Sequence, residues 1–227
     1  MSAVQNDNNP GYRVILDQPE VAAILEEGTV VRYPKGQIIF SADEVADRTY
    51  YIEDGYVKIY RLGFDGREIT VGSIRNPGEL MGVSETLYHG KRTCFARAIA
   101  DVKLVLLSRE QFDSVLQKHP ELAVKVASLL AARMRYAESM LHSIVSGRVS
   151  ARMAVTLLNI GRQCGETTRE GIKIKFGLTQ EELASMSGLS RQTVSTVLKN
   201  LKRENLIKIN GRQIIIIDPQ KLEQIAV

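Results

Sequence analysis

The sequence predicts an α+β fold: an N-terminal β-roll with flanking helices and a C-terminal winged helix-turn-helix, joined by one long helix. Three patterns predict it. Short alternating runs separated by glycine turns fill Thr29 to Ser108, a helical apolar periodicity follows Pro120, and TQEELASMSGLSRQTVSTVLKNL, from Thr179 to Leu201, has the spacing of two short crossed helices. The expected boundaries are 1–118 for the roll, 119–146 for the long helix and 147–227 for the C-terminal domain.

Taken in order, MSAVQNDNNP at residues 1–10 reads as a disordered start. The runs TVVRY, QIIF, RTYYIE, YVKIYRL, EITVGSI, CFARAIA and VKLVLLS then read as strands. Gly36, Gly55, Gly66, Gly78, Gly82 and Gly90 punctuate them at intervals typical of a sandwich or rolled barrel, which can enclose a small ligand. Pro120 suits the first turn of a helix extending from Glu121 to Val145, with Gly147 ending it. Within it Leu130, Met134, Ala137, Leu141 and Ile144 follow a spacing of four, three, four and three, a short coiled-coil seam. With Met134 and Leu141 at position a, Arg133 falls at g and Glu138 at e, positions that face each other across a parallel pair. A homodimer through this helix is expected, and burial of the helix against its own roll is the alternative.

In the third pattern Thr179 and Glu182 form a T-x-x-E capping box that satisfies free N–H groups where a helix starts. Gly188 suits the left-handed position that ends this helix, Leu189 can plug the core, and Ser190 can cap a second helix from Arg191 to Lys202. Leu183, Leu189, Val194, Val197 and Leu198 lie where two crossed helices share apolar contact, and Ala184 allows close approach. The first turns of such a second helix meet base edges in a DNA major groove, so Arg191, Gln192, Ser195 and Thr196 are candidate readers. Arg191 has the planar fork that bonds O6 and N7 of guanine, a contact that discriminates by about 1–3 kcal/mol. LIKI, Asn210-Gly211 and QIIII then read as a wing of two strands with a tight turn, with Lys208 and Arg212 placed for phosphate. The plainer alternative is a helical hairpin with ordinary solvated polar residues.

Composition agrees. The 227 residues, 44% hydrophobic, suffice for two modest cores. The net charge is +4, but residues 147–227 hold 13 Lys/Arg against 7 Asp/Glu, or +6, which leaves −2 for the rest. A basic C-terminal part suits a polyanion such as double-stranded DNA. Cys94 and Cys164 stand apart without metal-ligand spacing, as in a reducing cytoplasm, and His89, His119 and His142 are not paired with carboxylates as a catalytic metal triad requires. Two cysteines cannot hold an iron–sulfur cluster, and His89 alone is a weak basis for haem. With no run of 18 apolar residues, neither export nor membrane spanning is expected. The chain therefore reads as a cytoplasmic protein with no catalytic residues, metal or cofactor.

The motif SRQTV and the roll segment PGELMGVSETLYHGKRTCFARA carry a resemblance to the CRP/FNR family of bacterial transcription regulators, and the resemblance covers nearly the whole chain. It implies a cyclic-nucleotide-binding-like double-stranded β-helix for the roll, and a homodimer that places two recognition helices on half-sites about 34–36 Å apart. It also implies RNA polymerase as a partner and a hinge near Ser146-Gly147. Arg191 matches the family's guanine-reading arginine, and Thr179, Ser190, Lys199 and Arg212 join the implied DNA contacts. Gln192 stands where the family's cyclic-AMP receptor has glutamate, and Thr196 where it has arginine, so the implied target site differs.

For the effector, the resemblance gives a mixed pattern. Arg92-Thr93 matches the pair that holds the cyclic phosphate, but after Gly82 comes Val83 where the cyclic-AMP receptor has a ribose-binding glutamate. Ala137 and Glu138 replace two hydroxyl residues that contact the base. The family's nitrogen regulator, which binds 2-oxoglutarate, also has Gly-Val here, and its ligand residues align with Arg92, Arg133 and Glu138. Guanidinium groups bind carboxylates bidentately, so a small anionic effector is expected, with Gly82, Val83, Ser84, Arg92, Thr93, Arg133 and Glu138 as candidates. Outside this reading stand a ligand-binding adaptor whose winged domain contacts protein, and an enzyme built on a β-roll.

Overall fold

The computed structural model describes residue 14, residues 16–146 and residues 148–226, with backbone alone for 139–146. The expected disordered start, the Leu141 and Ile144 part of the seam, and Gly147 of the hinge lie outside what is described. Two compact units divide the chain, one within Arg13–Arg135 and the other within Tyr136–Val227.

The first unit opens with α1 (Gln18–Glu27), where the Asp17 backbone N–H donates to Glu20 Oε2 at 2.6 Å. Strands β1 (Thr29–Tyr33), β2 (Ile38–Phe40), β3 (Arg48–Asp54), β4 (Val57–Leu62) and β5 (Glu68–Thr70) follow. Then come β6 (Leu80–Met81), the short α2 (Val83–Leu87), β7 (Phe95–Ala98) and β8 (Val102–Ser108). The seven expected runs all contain strands, while β6 and α2 have no counterpart among the expected elements. Two antiparallel sheets result, ordered β1-β8-β3-β6 and β2-β7-β4-β5.

Strands β3 and β8 are apolar on both faces because both faces are covered. Tyr50, Ile52 and Leu104 join Val57, Ile59, Ala96 and Ala98 in one cluster. Their neighbours Tyr51, Val105 and Leu107 turn the other way, into a second cluster with Ile24, Phe112, Leu122, Val126 and Leu129 from the helices. Each such large side chain stabilises the fold by about 1.5–3 kcal/mol relative to exposure.

Helix α3 (Arg109–Lys118) starts from a capping box: Gln111 N–H donates to Ser108 Oγ, and Ser108 N–H donates to Gln111 Oε1 at 2.8 Å. Helix α4 (Pro120–Ser146) begins at the expected proline. Its Leu122, Val126 and Leu129 are buried and Leu130 is partly buried against the same cluster, so the start of the expected seam packs on the roll. Met134 is 61% exposed, and Ala137 is also exposed.

The second unit contains α5 (Val149–Cys164) and the hairpin β9 (Gly165–Thr168) and β10 (Gly171–Ile174). Next come α6 (Gln180–Ser187), α7 (Arg191–Arg203), β11 (Ile207–Asn210), β12 (Gln213–Ile216) and α8 (Pro219–Ala226), which packs on α5. The sheet runs β11-β12-β10-β9, so the wing hairpin is extended by a second hairpin. The wing turn is Gly211-Arg212, one residue later than the sequence suggests. The ladder pairs Asn210 with Gln213, and only Gly211, at φ 62°, takes the positive φ the turn needs.

Candidate DNA-reading face and effector junction

The reading face is built by caps and a turn. Thr179 Oγ1 accepts from Glu182 N–H at 3.1 Å, and Thr179 N–H donates to Glu182 Oε2 at 2.6 Å, completing the expected box on α6. Gly188 ends that helix at φ 64°, in the left-handed region glycine favours. Two residues on, Ser190 Oγ accepts from Thr193 N–H at 3.1 Å and starts α7.

The amphipathic α7 buries Val194, Val197, Leu198 and Leu201, which leaves Arg191, Gln192 and Thr196 exposed and Ser195 half-buried on the opposite side. Thr196 Oγ1 donates to Gln192 O at 3.1 Å, so its methyl and a hydroxyl lone pair remain for contact. Thr179, Ser195, Lys199, Lys202 and Arg212 line one cleft of about 260 Å³ between the helices and the wing. Four sequence candidates thus meet there: Thr179, Ser195, Lys199 and Arg212. Lys208 is not among them, since its Nζ lies 2.8 Å from Glu170 Oε2 in a separate cleft. Sequence reasoning missed Glu181, whose Oε1 lies 3.9 Å from Arg191 Nη1; the capping motif it sits in singles out only Glu182.

In the roll, Gly82 precedes α2 with φ 73°, and a Cβ there would lie 2.8 Å from Arg92 Nη1. Arg92 is only 2% exposed. Its Nη1 donates to Gly82 O at 2.8 Å, its Nη2 donates to Arg48 O, and the guanidinium lies 4.5 Å from the centre of the Phe40 ring. Thr86 Oγ1 lies 2.8 and 2.9 Å from the same two carbonyls, within reach of its single O–H. Burial pushes the Arg92 guanidinium below its ordinary range, opposed by Tyr50, Glu85 and Asp47. The residue expected to face a ligand is therefore tied to backbone carbonyls on both sides.

Val83 is fully buried in the helix-side cluster, Ser84 is exposed, and exposed Thr93 donates to Glu85 Oε1 at 2.9 Å. Arg133 reaches the roll: its Nη2 donates to Leu80 O and lies 3.8 Å from Glu79 Oε2. Burial pushes its pKa down to about 9, aided by the like charge of Arg75 and opposed by Glu79 and Glu85, so it stays charged at neutral pH. Glu79 also accepts from Asn76 Nδ2 at 3.0 Å. This buried network leaves no trace in the sequence because Asn76 and Glu79 sit in a Pro-Gly turn that reads as solvated. Glu138 is exposed. No group of three or more His, Cys, Asp or Glu able to hold a metal is found among the described residues.

Both units match known domains. Residues 30–119 match the cyclic nucleotide-binding domain, and residues 151–225 match the Crp-like helix-turn-helix domain. The CRP-like cAMP-activated global transcriptional regulator of Mycobacterium tuberculosis is 31% identical over 202 residues, 89% of this chain and 90% of the relative. The chain belongs to the CRP/FNR family of bacterial transcription regulators. The cyclic AMP receptor protein of Thermus thermophilus is 32% identical, over 86% of each chain. The structure of FixK2 from Bradyrhizobium japonicum matches with a TM-score of 0.77 at 25% identity, covering 88% of this chain and 98% of that one. This CRP/FNR regulator therefore pairs an effector-responsive domain with a DNA-binding helix-turn-helix, and its fold is the one its sequence predicts. Among the described residues no helix is long and apolar enough to cross a membrane.

Proposed function

We propose that the regulator works in the cytoplasm as a homodimer and reads a near-palindromic DNA site through Arg191, Gln192, Ser195 and Thr196. Thr179, Ser190, Lys199 and Arg212 hold phosphate. The observation that supports this best is the joint arrangement of α7: its reading residues lie opposite a buried apolar face, and the cationic cleft lies beside them. Phosphate contacts set register and base contacts set sequence, and this face offers both. The dimer forms through α4, where exposed Val124, Met134 and Ala137 leave apolar surface for a second copy. RNA polymerase is the protein partner that family membership supports.

The effector is a small anion held where the roll meets α4. Two relatives carry cyclic AMP in their names, but the residues here fit a cyclic nucleotide poorly. Val83 offers no side-chain acceptor and packs in the core, and Arg92 is engaged by Gly82 and Arg48. Arg133, whose Nη2 donates to Leu80 O and lies 3.8 Å from Glu79 Oε2, is the cation an anionic ligand can recruit, with Gly82, Ser84 and Thr93 as the other ligand-side groups. Binding changes DNA affinity only in so far as the ligand prefers one dimer arrangement. Selection from a randomised duplex pool tests the DNA reading: the expected product is a two-fold symmetric site with half-site centres about 34–36 Å apart. Recovery of unrelated sequences would overturn it. Calorimetry with cyclic AMP and with dicarboxylates tests the effector, and tight cyclic AMP binding would overturn that part.

A further inference from the structure

Of the reading residues Arg191, Gln192, Ser195 and Thr196, only Thr196 carries a methyl group, and its hydroxyl proton is already committed. Gln192 and Thr196 lie one turn apart on the exposed side of α7, and Thr196 Oγ1 donates to Gln192 O at 3.1 Å. A hydroxyl has one proton, so what Thr196 offers outward is its Cγ2 methyl and the oxygen lone pairs. We propose that Thr196 is a specificity-determining residue that reads thymine: its methyl packs against the 5-methyl group of a thymine in each half-site. This rests on the reading of the exposed face of α7 as the base-reading surface.

The major groove shows three kinds of group: acceptors on guanine, adenine and thymine, amino donors on adenine and cytosine, and the thymine methyl. The acceptors need a donor, and Thr196 spends its proton within the helix. Exposed Arg191 supplies a donor pair for guanine, and exposed Gln192, with both a donor and an acceptor, matches adenine. The thymine methyl is the group that neither can satisfy. Ser195 has no methyl, and it is half-buried in the cleft with Lys199 and Arg212. Staggering at Cβ keeps the Thr196 methyl out of the well that the hydroxyl occupies, so holding Oγ1 on the backbone also fixes where the methyl stands. Taking one methyl out of water is favourable by about fourfold in an equilibrium constant. Water solvates the polar base edges but not the methyl, so this contact selects a base without a new hydrogen bond.

The test uses a duplex selected by the wild-type protein and a scrambled duplex of the same length. Thymines of the selected site are replaced by deoxyuridine, one symmetry-related pair at a time, which removes the 5-methyl and leaves every hydrogen-bonding group in place. Wild type, Thr196→Val, Thr196→Ser and Arg191→Ala are titrated on each duplex, and the ratio of selected to scrambled affinity is read so that folding effects cancel. One pair of thymines is expected at which uracil lowers the wild-type ratio by about fourfold per half-site. Thr196→Val keeps the methyl and should keep both the ratio and its loss on uracil. Thr196→Ser keeps the hydroxyl alone; its ratio should fall by about fourfold per half-site on thymine and no further on uracil. A uracil effect of equal size in wild type and Thr196→Ser at every pair overturns the proposal. So does an intact ratio in Thr196→Ser, or a ratio that falls in Thr196→Val as far as in Thr196→Ser, which would make the hydroxyl the contact. If Arg191→Ala leaves the ratio intact, the reading face itself fails; if it collapses the ratio while the uracil effect does not depend on Thr196, only the role of Thr196 fails.

Discussion

Replacing Arg92 by alanine removes a buried cation that ties three segments of the roll together. Its guanidinium donates to Gly82 O before α2 and to Arg48 O at the start of β3, and it stacks on Phe40 of β2. A hydrogen bond from a charged group contributes about 1.5–3 kcal/mol, and a desolvated cation–π contact about 2 kcal/mol. Those values do not add in full, because Thr86 Oγ1 is within reach of both carbonyls and its one proton still serves one of them. A net loss of about 3 kcal/mol is expected, which for a unit of this size lowers Tm by roughly 10–15 °C. Scanning calorimetry of the intact protein should show the transition of the roll unit falling while that of the helix-turn-helix unit stays in place. A wild-type Tm combined with lost response to a small ligand would refute the reasoning, and would make Arg92 a ligand residue without a structural role.

Glu68 and Thr179 carry two further predictions. Burial acts to raise the Glu68 pKa, but hydrogen bonds and charge from Lys58 and Arg97 hold it below the ordinary carboxylate value of 4.5. Its stabilising contribution is therefore complete above that value and is lost as pH falls through the lower folded pKa. Glu68→Gln should cost about 1–3 kcal/mol near neutral pH, leaving buried Lys58 without its carboxylate. In urea unfolding at pH 7 and pH 3.5, wild type should lose more stability across the interval than the variant, and equal losses would count against this coupling. Thr179→Ala deletes the α6 cap and should cost about 0.5–2 kcal/mol in the C-terminal transition; an unchanged transition would mean the cap contributes nothing.

The parts of the fold legible in the sequence are those fixed by local chemistry. The T-x-x-E box, Gly188 and Ser190 specify their helix ends within a few residues, and the structure places each as read. The roll strands are legible as short apolar runs between glycine turns, although β6, the two-residue Leu80-Met81 pair before Gly82, is too short to register. The hairpin β9–β10 and helix α8 leave weaker signals: β9 is GETT, polar and weakly strand-forming, and α8 is an eight-residue helix near the chain end. The wing turn slips by one residue because register, set by β12 across the sheet, outranks the preference of an Asn-Gly pair.

The effector junction is the least legible part. The Arg92 partner Arg48 O is 44 residues away in sequence, and a backbone carbonyl leaves no residue-type signal. Arg133 fits equally well as a coiled-coil g residue, and only the arrival of Leu80 O and Glu79 beside it separates the two readings. The reading face is legible because amphipathic α7 alone determines which side chains stay exposed.

The central claim is that Arg191 reads a base while Lys199 holds phosphate. The most direct measurement is the affinity of wild type, Arg191→Ala and Lys199→Ala for the selected and scrambled duplexes. The expected result is that Arg191→Ala loses about 1–3 kcal/mol per half-site on the selected duplex with little change on the scrambled one, whereas Lys199→Ala weakens both alike and lowers the salt slope by about one per protomer. Equal losses on both duplexes for both variants would contradict the account.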